Sequence, residues 1–190
     1  MSGEIFSRNW INGKSTTDGS WSGNLITRSH AIPAIAAIYR FSMEQMYAVV
    51  SDVSNYNKFV PFCKKSIVVS ENQKCLVAEL QIGFPPVYES YTSNVKLRKP
   101  TMVRAVCSDG KIFSYLETCW KFSPGLRSNP LSCIVDFTIE FEFKSKLHYQ
   151  LANMFFEALV RQMEGAFLSE AKKRFGRESI PTHKLAYVKS

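Results

Sequence analysis

An α+β fold, a curved antiparallel sheet wrapped around one long C-terminal helix, is the class this sequence predicts. Three observations carry that expectation. Between residues 67 and 143, apolar and polar side chains alternate in segments separated by turn signals, the period of half-buried strands. From Lys146 the period becomes that of a helix and holds for more than five turns. No other element is long enough to cover a sheet of about six to seven strands, so the helix must lie across it. This is the helix-grip architecture, and it leaves an elongated space between sheet and helix unless large side chains fill it.

Taken in order, the elements read as follows. The apolar run from Ala31 to Ile38 opens the ordered part as a first strand. A bilayer-spanning helix needs roughly 20 apolar residues, and this run is eight residues long with Pro33 inside it. Ser42-Met43-Glu44-Gln45 has the form of a capping box, and Met46, Tyr47, Val49 and Val50 give the short helix after it an apolar face. Asp52 to Lys58 reads as a second short turn or helix, stopped before Pro61. Ile67 to Val69 is β-branched and ends at Glu71-Asn72-Gln73. Leu76, Ala78, Leu80, Ile82 and Phe84 alternate up to the break at Pro85-Pro86. Val87 to Lys99 and Val103 to Cys107 are two more strands, the second ending at the turn pair Asp109-Gly110. Leu116, Trp120 and Phe122 alternate up to Pro124-Gly125. In the last strand Cys133, Val135, Phe137, Ile139, Phe141 and Phe143 share one face, opposite Asp136, Thr138, Glu140 and Glu142. The helix stripe is Leu147, Leu151, Met154, Phe155, Ala158, Leu159, Met163, Ala166 and Phe167, with Gly176 as its stop.

Composition fixes the class of molecule. With 190 residues, 45% hydrophobic and 21% charged, the chain reads as one globular domain over 31–178. Residues 1–30, rich in Ser, Thr, Gly and Asn, read as a disordered leader or a mitochondrial targeting segment, and 179–190 as a tail. The net charge of +8 is concentrated late, with nine basic against four acidic groups in residues 144–190. Nucleic acid is not expected as a partner, because no strand face carries an ordered basic and aromatic stripe. Five cysteines without a CxxC pair argue against a disulfide framework and against a metal site, and place the chain in a reducing compartment.

Two stretches resemble a known family. Asp52-Val53-Ser54-Asn55-Tyr56-Asn57-Lys58-Phe59-Val60-Pro61-Phe62-Cys63 is similar to the DVxxYxxFVPxC segment of the coenzyme Q-binding Coq10 family, within the START and polyketide-cyclase-like superfamily. Gly83-Phe84 with Glu89-Ser90-Tyr91-Thr92-Ser93-Asn94-Val95 resembles the family's strand motif. Val135 to Phe143, followed by Phe155-Phe156, Met163 and Ala166-Phe167, resembles its last strand and helix. The likeness covers about residues 35–176. It departs in the looser loop Asp109-Gly110-Lys111-Ile112-Phe113.

The resemblance implies a ubiquinone-binding lipid chaperone or carrier, not an enzyme. It would work at the matrix side of the mitochondrial inner membrane, in respiration and ubiquinone biosynthesis. Its partners would be ubiquinone, the anionic membrane surface, and the biosynthetic assembly or respiratory complexes, with no catalytic cofactor. A phospholipid or sterol transfer protein, or a polyketide-cyclase-like enzyme, is the alternative on the same fold. A polyprenyl tail demands a long dry tunnel with a few polar groups near one end. The expected lining is Leu80, Ile82, Phe84, Glu89, Tyr91, Val95, Val103, Trp120, Phe137, Ile139, Phe141, Met154, Phe155, Leu159 and Met163. Alternation places Glu89 on the inward face, where a carboxylate is costly. It donates to a quinone oxygen as the neutral acid, pairs with an arginine such as Arg104, or is exposed by a flipped register. Phe59, Val60, Pro61 and Phe62, flanked by Lys58, Lys64 and Lys65, read as an apolar tip with a basic collar for an anionic membrane, or as a lid on the core.

Overall fold

The computed structural model describes residues 32–84, 87–107, 109–111, 113–144, 146–176 and 183–184 of the 190, with the backbone course alone for 32–36, 84, 87, 146–159 and 183–184. Strand β1 (Ile32–Tyr39) is followed by helix α1 (Met43–Ser51), a 3-10 turn (Val53–Asn55) and the one-turn helix α2 (Tyr56–Phe59). Six strands come next: β2 (Cys63–Glu71), β3 (Cys75–Phe84), β4 (Val87–Arg98), β5 (Met102–Cys107), β6 (Phe113–Pro124) and β7 (Cys133–Phe143). The long helix α3 (Lys146–Phe175) and a two-residue strand β8 (His183–Lys184) complete the order. The sheet order is β2-β3-β4-β5-β6-β7-β1-β8, antiparallel throughout. The helix-grip expectation holds.

Local sequence explains the element ends. Ser42 Oγ accepts from the Gln45 amide at 3.3 Å while Gln45 Oε1 accepts from the Ser42 amide at 2.9 Å, the reciprocal cap the motif specifies. Asn72 Oδ1 accepts from the amides of Lys74 and Cys75, closing the β2–β3 turn. Helix α3 stops at Gly176, whose φ of 90° is the left-handed conformation a glycine adopts without steric cost. Two strands begin earlier than their composition indicates. β2 starts at Cys63 because pairing with Ile82 draws Lys64 and Lys65 into the ladder with outward side chains. β6 starts at Phe113 across a register shift opposite Phe143. This shift, two between β2 and β3 and one between β1 and β7 bend the sheet around α3. β8 falls within the expected tail and pairs with Ala37 and Ile38.

The core lies between the sheet's concave face and the two helical layers. Phe167 is its hinge pin, 2% exposed, with the rings of Tyr56, Phe59 and Trp120 packed 4.8–5.5 Å from its own. The stripe of α3 is not wholly apolar: Glu164 is buried, and Tyr39 Oη donates to it at 2.8 Å. Truncating Phe167 to alanine removes the shared partner of three rings. A loss of about 3–5 kcal/mol of stability is expected, read as the urea midpoint followed by tryptophan fluorescence.

Candidate functional site

An apolar cavity of about 170 Å³ lies under the concave sheet. β3 contributes Leu80 and Ile82, and β4 contributes Tyr91, Ser93 and Val95. From β5 and β6 come Val103, Ala105 and Cys107, and Phe113, Leu116, Thr118 and Trp120. Ile139 of β7, with Met163 and Phe167 of α3, also lines the cavity. Val53, Tyr56, Val60, Pro61, Phe62 and Cys63 form the remaining wall. None of these lining residues is an Asp, Glu, Lys, Arg or His.

Eight expected lining residues are therefore brought together: Leu80, Ile82, Tyr91, Val95, Val103, Trp120, Ile139 and Met163. Phe137 and Phe141 are buried but stand outside the lining, Phe137 stacked on Trp120 with ring centroids 4.1 Å apart. The side chains of Phe84, Met154, Phe155 and Leu159 lie outside the described residues. Sequence reasoning passed over Ala105, Cys107, Leu116 and Thr118, although each shares a strand face with a residue it chose. It also passed over Tyr56 and Phe167, whose inward direction is set by tertiary packing. The void is closer to the size of one ring than to a long tunnel, for roughly 150 Å³ of apolar space takes a benzene.

Glu89 is inward, at 2% exposure, which excludes the flipped register. It is not part of the lining. Its Oε1 accepts from the amides of Ser90 at 2.9 Å and Lys111 at 3.0 Å, so the carboxylate anchors the β5–β6 loop. Lys144 Nζ donates to the Gly110 carbonyl and holds the same loop from β7's end. Arg104 does not pair with Glu89. Alternation turns it to the opposite face of the sheet, where its guanidinium grips Glu117 in a fork.

The segment 52–63 builds the wall and rim. Asp52 accepts from Asn55 Nδ2 at 2.8 Å and Ser54 Oγ at 3.1 Å, and pairs with Arg174 at 2.8 Å near the end of α3. Arg174 also reaches Glu170 and sits 5.8 Å above the Phe59 ring. Tyr56 donates its hydroxyl to the Val50 carbonyl and packs its ring edge-on against Phe59 and Phe167. Phe59 thus wedges its ring against the core while staying half-buried. Val60, Pro61 and Phe62 are half-buried rim residues. Phe62 adopts φ 63°, a left-handed conformation costing a bulky residue about 1–3 kcal/mol, and its carbonyl accepts from the Gly83 amide at 2.9 Å. Lys58 and Lys64 are exposed beside this rim, whereas Lys65 pairs loosely with Glu79 at 3.8 Å.

Burial pushes the phenols of Tyr91 and Tyr56 and the thiols of Cys63 and Cys107 upward, so all four stay protonated at neutral pH. Burial also opposes the Asp52 carboxylate, but hydrogen bonds from Asn55, Arg174 and Ser54 outweigh it and hold its pKa below the ordinary range.

A bent sheet around a helix, with a chamber between them whose described lining carries no charge, defines the class. The chain belongs to the polyketide cyclase / dehydrase and lipid transport family, whose model matches residues 40–168. Within it, the chain is 49% identical over 150 residues to the coenzyme Q-binding protein COQ10, mitochondrial, of Drosophila melanogaster, which bears out the likeness carried by residues 52–63. That match covers 79% of this chain and 62% of the Drosophila protein, so the chain spans about three-fifths of that relative's length. The ribosome association toxin RatA of Vibrio cholerae is 30% identical over 141 residues, covering 74% of this chain and 95% of RatA. The crystal structure of the Zhui aromatase/cyclase from Streptomyces sp. R1128 shares the fold, with a TM-score of 0.63 at 17% identity over 77% of this chain and 96% of its own.

Asp52→Ala is expected to lower stability at neutral pH by about 2 kcal/mol, the worth of charge-assisted hydrogen bonds. Because the folded carboxyl titrates below its unfolded value, its contribution is complete above about pH 4 and fades as pH falls further. Urea midpoints of wild type and variant should therefore converge on acidification.

Proposed function

We propose that this chain binds ubiquinone in the cavity and serves as a lipid chaperone or carrier for respiratory electron transport and efficient ubiquinone biosynthesis. It works as a peripheral protein on the matrix side of the mitochondrial inner membrane. The observation that carries this reading is the ring-lined chamber, uncharged among its described residues, in a chain so similar to a protein named for binding coenzyme Q and for the mitochondrion. A phospholipid would bring a phosphate into a wall whose described residues hold no cation to receive it, at a large desolvation cost.

The same lining supports a carrier over an enzyme. Acid–base catalysis needs groups titrating near neutral pH, and the ionisable lining groups named above are all shifted away from it. Among the described residues no helix is long and apolar enough to cross a membrane. The exposed Lys58 and Lys64, beside the Val60-Pro61-Phe62 rim, supply the contact with an anionic surface, each contributing about 1 kcal/mol.

Organic extract of the protein, purified from a ubiquinone-making host, should contain ubiquinone in near-stoichiometric amount by mass spectrometry. Phospholipid in its place, with no ubiquinone, would refute the reading. The double variant Lys58→Gln/Lys64→Gln should bind vesicles containing anionic phospholipid roughly thirtyfold less tightly in co-sedimentation, with little change on neutral vesicles.

A further inference from the structure

Three hydroxyls stand in the cavity wall with no hydrogen-bond partner among the described residues: Tyr91, Ser93 and Thr118. Ser93 is 2% exposed, so bulk water does not satisfy it. Tyr91 and Thr118 are half-buried and Ser93 is buried, and all three border the cavity, where their hydroxyls are the groups able to pair a polar atom of a ligand in a chamber whose other described lining is largely apolar.

Their placement is specific. Tyr91 and Ser93 share the inward face of β4, opposite Leu80 and Ala78 of β3. Thr118 projects from β6, in the row that runs from Val95 through Ala105. Two strand spacings, roughly 10 Å, separate β4 from β6. A six-membered ring with an oxygen at each end, and one hydrogen bond beyond each oxygen, bridges that span. The void between them is ring-sized. Val60, Pro61 and Phe62, also in the lining, offer nothing polar from their side chains and suit an alkyl chain.

We infer that Tyr91, Ser93 and Thr118 form a ring subsite for a neutral, para-dioxygenated six-membered ring, whose isoprenoid tail leaves past Val60 and Phe62. From β4, Tyr91 or Ser93 donates to one ring oxygen, and the Thr118 hydroxyl of β6 serves the other. The serine and threonine hydroxyls both donate and accept, so the subsite takes the quinone and the quinol alike. Glu89 is not a ring ligand, since it stands outside the cavity lining and its Oε1 already accepts from the amides of Ser90 and Lys111. This assignment rests on the carrier reading and adds to it the groups that tell the ring from any other greasy molecule.

The test uses the full chain and two probes with the same short tail: a ubiquinone analogue, and an alkylbenzene lacking the ring oxygens. Binding of each is followed by quenching or enhancement of Trp120, which borders the subsite. Tyr91→Phe should bind the quinone roughly tenfold more weakly while holding the alkylbenzene as wild type does. Ser93→Ala/Thr118→Val should show the same split, and unchanged melting temperatures identify variants that fold. Variants that bind the quinone as tightly as wild type overturn the subsite and leave the carrier reading standing. An equal loss of both probes also overturns it, since that outcome marks a packing role. A wild-type protein that takes the alkylbenzene but not the quinone overturns the subsite and the ubiquinone reading together.

Discussion

A mismatch of widths governs this molecule. The seven longer of the sheet's eight strands, about 4.8 Å apart, span nearly 30 Å, and one helix with its side chains is about 10–12 Å thick. Even bent by its register shifts, the sheet cannot be covered by α3 alone. α1 and the 52–62 segment cover part of what remains, and the cavity is what neither reaches. The chamber is thus a product of architecture, and side chains such as Trp120 and Phe167 only set its floor.

The same shortage of cover explains why one segment is so densely committed. Asp52 ties the segment to the last turns of α3 through Arg174. Tyr56 and Phe59 wedge rings between it and Phe167, and Val60 to Phe62 then turn the chain back as a rim before Cys63 enters the edge strand. Each conspicuous residue of the DVxxYxxFVPxC pattern has a distinct task within about a dozen positions. A single ion pair between two elements would be a weak device at the surface, but here it is reinforced by Asn55, Ser54 and a ring beneath the guanidinium.

Much of the fold was legible because its signals are local. The capping box at Ser42, the period-two runs of β3 and β7, and Gly176 after the helix act within a few residues, so sequence alone resolves them. The starts of β2 and β6 were not legible, since Cys63 and Phe113 become strand only by pairing with Ile82 and Phe143. The inward faces of β4 and β5 followed from alternation, which placed Tyr91, Val95 and Val103 correctly. What alternation does not convey is whether an inward group meets the void or a neighbour. Glu89 and Phe137 are inward and spoken for, by amides and by a stacked indole, while Thr118 looked unremarkable and borders the chamber. Arg104 misled because a carboxylate on the same sheet invites pairing, yet the pleat puts the two on opposite faces.

The want of charge among the chamber's described lining residues has an electrical corollary. A neutral cargo entering a neutral wall shifts no charge through the field at a membrane surface and releases no counter-ion. Loading and unloading would then run at the same equilibrium whether the membrane is energised or discharged. On the proposed carrier reading, direction of transport would be set by the concentration of cargo at the two ends of the journey, with the voltage across the bilayer having no hold on it.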